Sequence, residues 1–354
     1  MDVSIVGGSG YAGGELARLL FQHPKATVKH VTSRKNAGKP ISLLHPNFDG
    51  VSRIKFSLPD MDAVARDVDV VFLATPHHTS HAFVPDLLDT GVKVIDLSAD
   101  FRLKSVERYE YFYGEHDHPE YLEKAVYGMP ELHAEAIKNA MLIAVPGCHA
   151  SSAIYSLYPV LSNDLIEPFP IIVDSKTGST GAGIVPTPAS HHPARANVIR
   201  PYKLTGHRHT AEIEQALLPS LAKNQQHAFK VSFSAHAIDA VRGILSTVHV
   251  FLKEELDSER PLYKAFRRFS KNQPFIRFIK KNAGLFKLPD PKTIIGSNFC
   301  DIGFEKDPLS SRLVIVSALD NLVKGAAGNA VQCFNIACGF AETTGLDAMP
   351  IFPL

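Results

Sequence analysis

An alternating apolar strand, DVSIV, runs straight into GGSGYAGG and then into the amphipathic segment ELARLLFQHP. Gly8, Gly10 and Gly13 fit G-x-G-x-x-G, with Ser9, Tyr11 and Ala12 between them, in the strand–turn–helix setting that the motif requires. Such a turn lets backbone N–H groups approach a pyrophosphate, which rests on the helix N-terminus. A chain that opens this way is directed toward a mostly parallel, doubly wound sheet. Its ligands then bind beyond the carboxyl ends of the strands.

The second strand ends in TVKHVTSRKN. Dinucleotide sites selective for NAD place an acid about 20 residues past the glycines, for the ribose hydroxyls. Here Thr32, Ser33, Arg34 and Lys35 stand instead, and hydroxyls plus guanidinium suit a 2′-phosphate. The expected cofactor is therefore NADP(H); an exposed basic turn is the plainer alternative. The strands DVVFLATP and KVIDLSAD each end in a polar loop, which assigns Ala74, Pro76 and Ser98 to the cofactor edge, with Asp100 beside them. His77 and His78 read equally well as ordinary loop histidines.

In MLIAVPGCHASSAIY a buried strand meets a Pro-Gly turn, a lone cysteine and a run of small residues. Cys148 is thus expected at a helix N-terminus, where unpaired N–H groups and the helix dipole favour a thiolate. A small buried hydrophobe is the competing reading of such a cysteine.

Beyond it, PIIVDSKTG, HAFKVSFSAHA, GILSTVHVFL and RLVIVSALD are longer, adjacent strands, pointing to a mixed or antiparallel sheet. No acid lies between Asp174 and Glu212, while Lys176, Arg195, Arg200, Lys203, Arg208 and four histidines do. That charge pattern suits an anionic substrate, or simply a solvated loop. Within GHRHTAEIEQALL, His209 lies three residues before Glu212, so both share one face of a first helical turn and form a candidate acid/base pair for a thiol. His207 in the same motif is the rival.

At 354 residues and 45% hydrophobic content the chain is long enough for two domains. A formal net charge of +1 provides no global field for nucleic acid or membrane. The apolar runs are strand-length, too short to span a bilayer. Cys148, Cys300, Cys333 and Cys338 lack metal-type spacing, and no metal is expected. A strand pattern from Val3 leaves no room for a leader, so a reduced, cytoplasmic enzyme is expected.

GGSGYAGGELARLL, DLSADFRL, YGMPEL, VPGC, GHRH with EIEQ, RGIL, GSNFCDIG and DNLVKGAAGNAVQ, in this order, resemble the N-acetyl-γ-glutamyl-phosphate reductase family over nearly the whole chain. The resemblance implies an α/β protein: a Rossmann-type NADP-binding domain plus a semialdehyde-dehydrogenase-like α/β domain with a mixed sheet. The boundaries expected are 1–147 completed by 322–354, around 148–321 as the catalytic and oligomerisation domain. It implies reduction of an acyl phosphate through a thioester on Cys148, with His209 as acid/base behind which Glu212 stands. Arg102, Lys176, Arg195, Arg200 and His207 are then the substrate contacts, and Gly181 and Asn329 lie near the cofactor.

His149-Ala150-Ser151 replaces the aromatic-Pro-Thr sequence of arginine-pathway members, and SHHPARANVIRPYKLTGHRH resembles the branch whose substrate rides on an acidic amino-group carrier protein. The expected substrate is thus carrier-bound glutamyl or aminoadipyl phosphate, in arginine or lysine synthesis, with a homo-oligomeric enzyme. Free N-acetyl-γ-glutamyl phosphate is the alternative, and a catalytically silent dinucleotide-binding regulator a second. Thr177 stands where aspartate-semialdehyde dehydrogenases carry glutamine, which disfavours that relative. Lys264 to Lys287 carries eight cations and no acid, an expected docking surface for the carrier or else a solvated face.

Overall fold

The computed structural model describes residues 1–353 apart from 254, 255 and 257. Two compact units emerge: Met1–Pro146 with Ala326–Asp347, and Gly147–Gly325 with the segment from Ala348 onward.

In the first unit, β1 (Asp2–Val6), β2 (Thr27–Val31), β3 (Val70–Leu73), β4 (Lys93–Asp96), β5 (Val126–Tyr127) and β6 (Leu142–Ala144) form one sheet. Its order is β2-β1-β3-β4-β6-β5 and every pairing is parallel. Unbroken apolar stretches such as VVFL in β3 are wholly buried, as strands covered on both faces must be. The helices are α1 (Tyr11–Phe21), α2 (Met61–Ala65), α3 (Val84–Asp89), α4 (Val106–Tyr113) and α5 (Pro130–Lys138). A Cβ on Gly13 would lie 2.4 Å from the Gly7 carbonyl oxygen, so only glycine lets α1 pack this tightly on the turn that precedes it.

The second unit starts with α6 (Cys148–Leu161), a 14-residue helix that begins at Cys148 as expected. Its sheet comprises β7 (Ile171–Thr177), β8 (Ile199–Lys203), β9 (Val231–Ile238), β10 (Ile244–Phe251), β11 (Ile276–Phe278), β12 (Cys300–Lys306) and β13 (Arg312–Leu319). The order β11-β12-β13-β10-β7-β9-β8 is mixed: β7 with β9 and β11 with β12 are parallel, the other pairs antiparallel. Burial alternates along β10, the period-two signature of a sheet with one face covered. Ser152 and Ser156 on α6 meet Ser246 of β10 and Ser317 of β13, and side chains this small let the helix lie close to both strands. The remaining helices of this unit are α7 (His192–Arg195), α8 (His209–Leu217) and α9 (Arg260–Ser270).

The chain then runs through one π-helical turn, Val323–Ala327, into α10 (Gly328–Ala337), which belongs to the first unit. There Asn335 is hydrogen-bonded to His23 (2.9 Å) and Gln332 to Glu131 (3.0 Å). The last residues part from α10: Ile351 N–H donates to the Ile295 carbonyl (3.1 Å), which attaches this tail to the second unit and sets it apart from the expected 322–354 stretch.

Candidate active site

Pro146 ends the first unit and Cys148 is the first residue of α6, with Gly147 as its N-cap in an extended conformation. No side chain caps this helix start, and no acid occupies its first turn. Gly147 N–H donates instead to Glu212 Oε2 of α8 at 2.9 Å, across 65 residues of sequence. Glu212 is fully buried, and its Oε1 lies 3.7 Å from His209 Nε2. A Cβ on Gly147 would sit 2.4 Å from that same Nε2, so the imidazole rests against the backbone immediately before the thiol. From the other side, a Cβ on Gly325 would fall 2.6 Å from Cys148 Cβ. Cys148 itself is partly exposed and in no disulfide.

Two further imidazoles complete the cluster. His209 N–H donates to His207 Nδ1 (3.2 Å), and the two rings are 4.7 Å apart. His149, next to the thiol in sequence, bonds Ser175 Oγ through Nδ1 (2.6 Å) and Tyr202 Oη through Nε2 (3.0 Å). Burial pushes His149 down to about 3, with the nearby His207 and Arg208 adding to the effect. Burial likewise lowers His207 to about 4, helped by Arg208 and Lys203. Both are neutral at pH 7 because a charge there has lost its water. Sequence reasoning gave His149, Ser175 and Tyr202 no role; the only signals were the adjacency of His149 to Cys148 and the place of Tyr202 in the acid-free segment.

The basic residues of that segment are placed unevenly. Arg195 Nη2 donates to the Thr177 carbonyl (3.3 Å) and Arg200 donates to the Ala194 carbonyl, which ties α7 and β8 to the end of β7. Gly181 is exposed, in the short turn Ser179–Ala182. Lys176 pairs with Asp174 (3.0 Å), on the face of β7 opposite Ser175, so the strand's alternation does not bring it to Cys148.

In the first unit the expected cofactor residues gather at the carboxyl ends of the strands. Gly8 to Gly13 form the β1–α1 turn; Gly10 is the N-cap of α1, with no side-chain cap and no acid in the first turn. After β2, Ser33 is buried while Arg34 and Lys35 are exposed. Past β3, Ala74 and Pro76 lead into a loop whose N–H groups at His78, Thr79 and Ser80 donate to the Asp100 carboxylate (2.9, 3.1 and 2.9 Å). Ser98, after β4, donates to Asp96 (2.7 Å). Asp96 is fully buried and pushed up to about 6 by that burial and by the charge of Asp100. Arg102 donates to the carbonyls of Val145 (2.7 Å) and Leu97 (2.8 Å), and Asn329 to that of Gly128 (2.6 Å). Among the described residues no group of three or more His, Cys, Asp or Glu side chains is placed to hold a metal ion.

Comparison with known proteins bears on this arrangement. Residues 2–140 match the semialdehyde dehydrogenase NAD binding domain, and residues 148–321 the semialdehyde dehydrogenase dimerisation domain. The [LysW]-L-2-aminoadipate/[LysW]-L-glutamate phosphate reductase of Sulfurisphaera tokodaii is 49% identical over 352 residues, covering 99% of each chain. Its counterpart from Saccharolobus solfataricus is 48% identical, covering 99% of this chain and 98% of that one. A putative [LysW]-L-2-aminoadipate 6-phosphate reductase of Thermomicrobium roseum is 46% identical, over 100% of this chain and 99% of that one. Among solved structures, aspartate semialdehyde dehydrogenase II of Vibrio cholerae superposes with a TM-score of 0.68 at 17% identity, over 96% of this chain and 98% of that one. That likeness is one of fold. With both family domains matched in order and relatives nearly half identical from end to end, the chain belongs to the semialdehyde dehydrogenase family.

Proposed function

We propose that this protein reduces the acyl phosphate of a carrier-protein-bound aminoadipate or glutamate to the semialdehyde, using NADPH. The observation that carries the reading is the junction at Gly147: Glu212 holds its N–H, and His209 lies against it, beside a thiol at a helix start. The names of the near-half-identical relatives supply the substrate class. Cys148 Sγ gives its proton to His209 and attacks the acyl carbon, and phosphate leaves. N–H groups at the start of α6 hold the oxygen that becomes negative. When the sulfur departs, His209 returns the proton to it and the aldehyde is released. Arg195 and Arg200 attract the anionic substrate.

The residues present fit a dinucleotide. The uncapped, acid-free start of α1 faces no competing carboxylate of its own first turn. Gly8 to Gly13 would hold the pyrophosphate, Ser33, Arg34 and Lys35 the 2′-phosphate, and Ala74, Pro76, Ser98 and Asn329 the rest. When bound, NADPH supplies the hydride. Arg34→Asp puts a negative charge beside the 2′-phosphate, so NADPH affinity should fall at least tenfold more than NADH affinity, on the order of the 1.4 kcal/mol or more that a lost charge-assisted contact costs. Equal losses in a fluorescence titration of both cofactors would assign Arg34 to structure.

The reading is tested by phosphate-dependent NADP⁺ reduction with matched semialdehydes. Turnover of the carrier-linked form alone supports it. Turnover of the N-acetyl form alone selects the free substrate, and none with either leaves a silent dinucleotide-binding protein.

The carrier's docking surface is narrower than the sequence implied. Acids from outside the 264–287 segment reach three of its cations: Asp301 accepts two bonds from Arg277 (2.6 and 2.9 Å), Glu259 pairs with Lys280 (3.2 Å), and Glu305 with Lys287 (3.3 Å). Lys264, Arg267, Arg268, Lys271 and Lys281 stay exposed. Arg260, Lys264, Arg267, Lys280 and Lys281 line one concavity with Tyr263 and Asn282. Reversing Lys264, Arg267, Arg268 and Lys281 to glutamate should raise KM for carrier-linked substrate roughly tenfold at low salt, since steering charges change association rates by that much or more. Screening over about 8 to 10 Å should shrink the difference at physiological salt and above. A KM indifferent to both charge reversal and salt would make this a solvated face. Homo-oligomerisation through the second unit and a cytoplasmic location complete the proposal; among the described residues no helix is long and apolar enough to cross a membrane.

A further inference from the structure

In the first unit the carbonyl of Gly8 meets a residue that has no part in the scheme above. His45 lies between the short turns Ile41–Leu43 and Pro46–Phe48 that follow β2, and it is buried. Its Nε2 is 2.9 Å from the Gly8 carbonyl oxygen. A carbonyl only accepts, so Nε2 carries the proton. A Cβ on Gly14 would fall 2.4 to 2.8 Å from three atoms of the same ring, so the imidazole rests against the backbone of α1 as well. Phe48 packs this segment onto the helix, its ring centroid 6.2 Å from that of His45 and 5.4 Å from that of Phe21.

Thr32 takes two N–H groups of the β1–α1 turn, that of Gly8 on its carbonyl (2.9 Å) and that of Gly7 on its hydroxyl (3.3 Å). Gly10 N–H donates to the Gly7 carbonyl (3.4 Å). Ser9 differs: among the described residues its N–H has no acceptor, and the residue is partly exposed. The peptide joining Gly8 to Ser9 is trans and planar, so its C=O and its N–H point in opposite directions. Glycine on one side leaves such a peptide free to rotate unless something holds it. The ring that holds the Gly8 carbonyl therefore also fixes the Ser9 N–H, and turns it away from His45.

We propose that His45 is a positioning residue of the dinucleotide turn: through the Gly8 carbonyl it presents the Ser9 N–H as a fixed donor to the cofactor's pyrophosphate. A donor already aimed needs no ordering when the anion arrives, and a bond to a charged oxygen is stronger than one to a neutral acceptor. The inference rests on Gly8 to Gly13 being the pyrophosphate site.

The test is calorimetric binding of two ligands to the full-length protein: NADPH, and adenosine 2′-monophosphate, which has no pyrophosphate. His45→Phe keeps a ring and loses the donor, so NADPH affinity should fall about tenfold, the scale of one hydrogen bond to a charged group. Affinity for adenosine 2′-monophosphate should stay within about twofold, because its phosphate is assigned to the end of β2 and not to the turn. His45→Gln, whose side-chain N–H stands as many bonds from the backbone as Nε2, should recover most of the loss. Gly14→Ala drives a Cβ into the imidazole and should act like His45→Phe. In a His45→Ala background, where that space is empty, Gly14→Ala should cost nothing more. At about pH 8, above the usual range of an imidazole, ¹⁵N shifts of the unliganded protein should show His45 neutral and protonated at Nε2. A glutamine variant as weak as the phenylalanine one, additive losses from Gly14→Ala and His45→Ala, equal losses for the two ligands, or a proton on Nδ1 would each overturn the proposal. Should His45→Phe fail to fold, His45→Gln, Gly14→Ala and the spectrum of the unliganded protein still decide. A wild-type protein that binds neither ligand would instead refute the dinucleotide site itself, a separate failure.

Discussion

Replacing Cys148 with serine is expected to lower turnover by at least ~10⁴-fold, the scale on which removing a nucleophile acts. Serine is nearly isosteric, so the close approach of Gly325 to the Cβ of residue 148 survives the change. The bond from Gly147 N–H to Glu212 survives too, since it involves backbone and a distant side chain. Only the nucleophile changes, from a thiol to an alcohol that is far less acidic and less nucleophilic. NADPH affinity should stay within about twofold, because the glycine turn belongs to the other compact unit. Stopped-flow measurement of phosphate release with acyl phosphate, with and without NADPH, is the check. A serine variant that still releases phosphate stoichiometrically would remove Cys148 from the chemistry.

His209→Ala should cost about 10²- to 10⁴-fold in kcat, the usual range for a positioned acid/base, with little change in cofactor affinity. The geometry separates it from His207. His209 Nε2 lies beside Gly147 and 3.7 Å from Glu212, whereas His207 accepts the N–H of His209 at the start of α8. His207 is also held neutral, down to about 4, so it neither takes nor gives a proton readily at pH 7. Its removal should act as loss of a helix-start acceptor, costing about 1 kcal/mol of stability and less activity than loss of His209. Parallel kinetics and thermal melts of the two alanine variants decide it. A larger kcat loss for His207→Ala, in a protein that melts normally, would reassign the acid/base.

What the sequence discloses about this molecule is mostly local. The β1–α1 glycine turn, the start of α6 at Cys148 and the alternation along β10 each depend on neighbours within a few residues, where sterics and burial leave a readable pattern. Long-range pairings have no such trace. The Glu212–Gly147 bond spans 65 residues and Ser175–Ser246 spans 71, and nothing in either local segment specifies its partner. The basic run at 264–287 shows the same limit from the other side. It is free of acids in sequence, yet Glu259, Asp301 and Glu305 come from outside to pair with part of it. Lys176 shows a third case: charge counted along the chain takes no account of strand parity, which sends alternate residues to opposite faces.

The start of α6 has a bearing on how this enzyme's parts can be inventoried. Gly147 has already given its N–H to Glu212, while helix geometry leaves those of His149 and Ala150 with no acceptor inside the helix. Those peptide groups persist whatever side chain other than proline stands at either position. An alanine scan across residues 147–151 would therefore pass over the proposed oxyanion donors entirely and credit their share to the side chains around them. Only an edit to the main chain itself, such as an ester in place of the amide at residue 149 or 150, removes one donor and leaves every side chain in place.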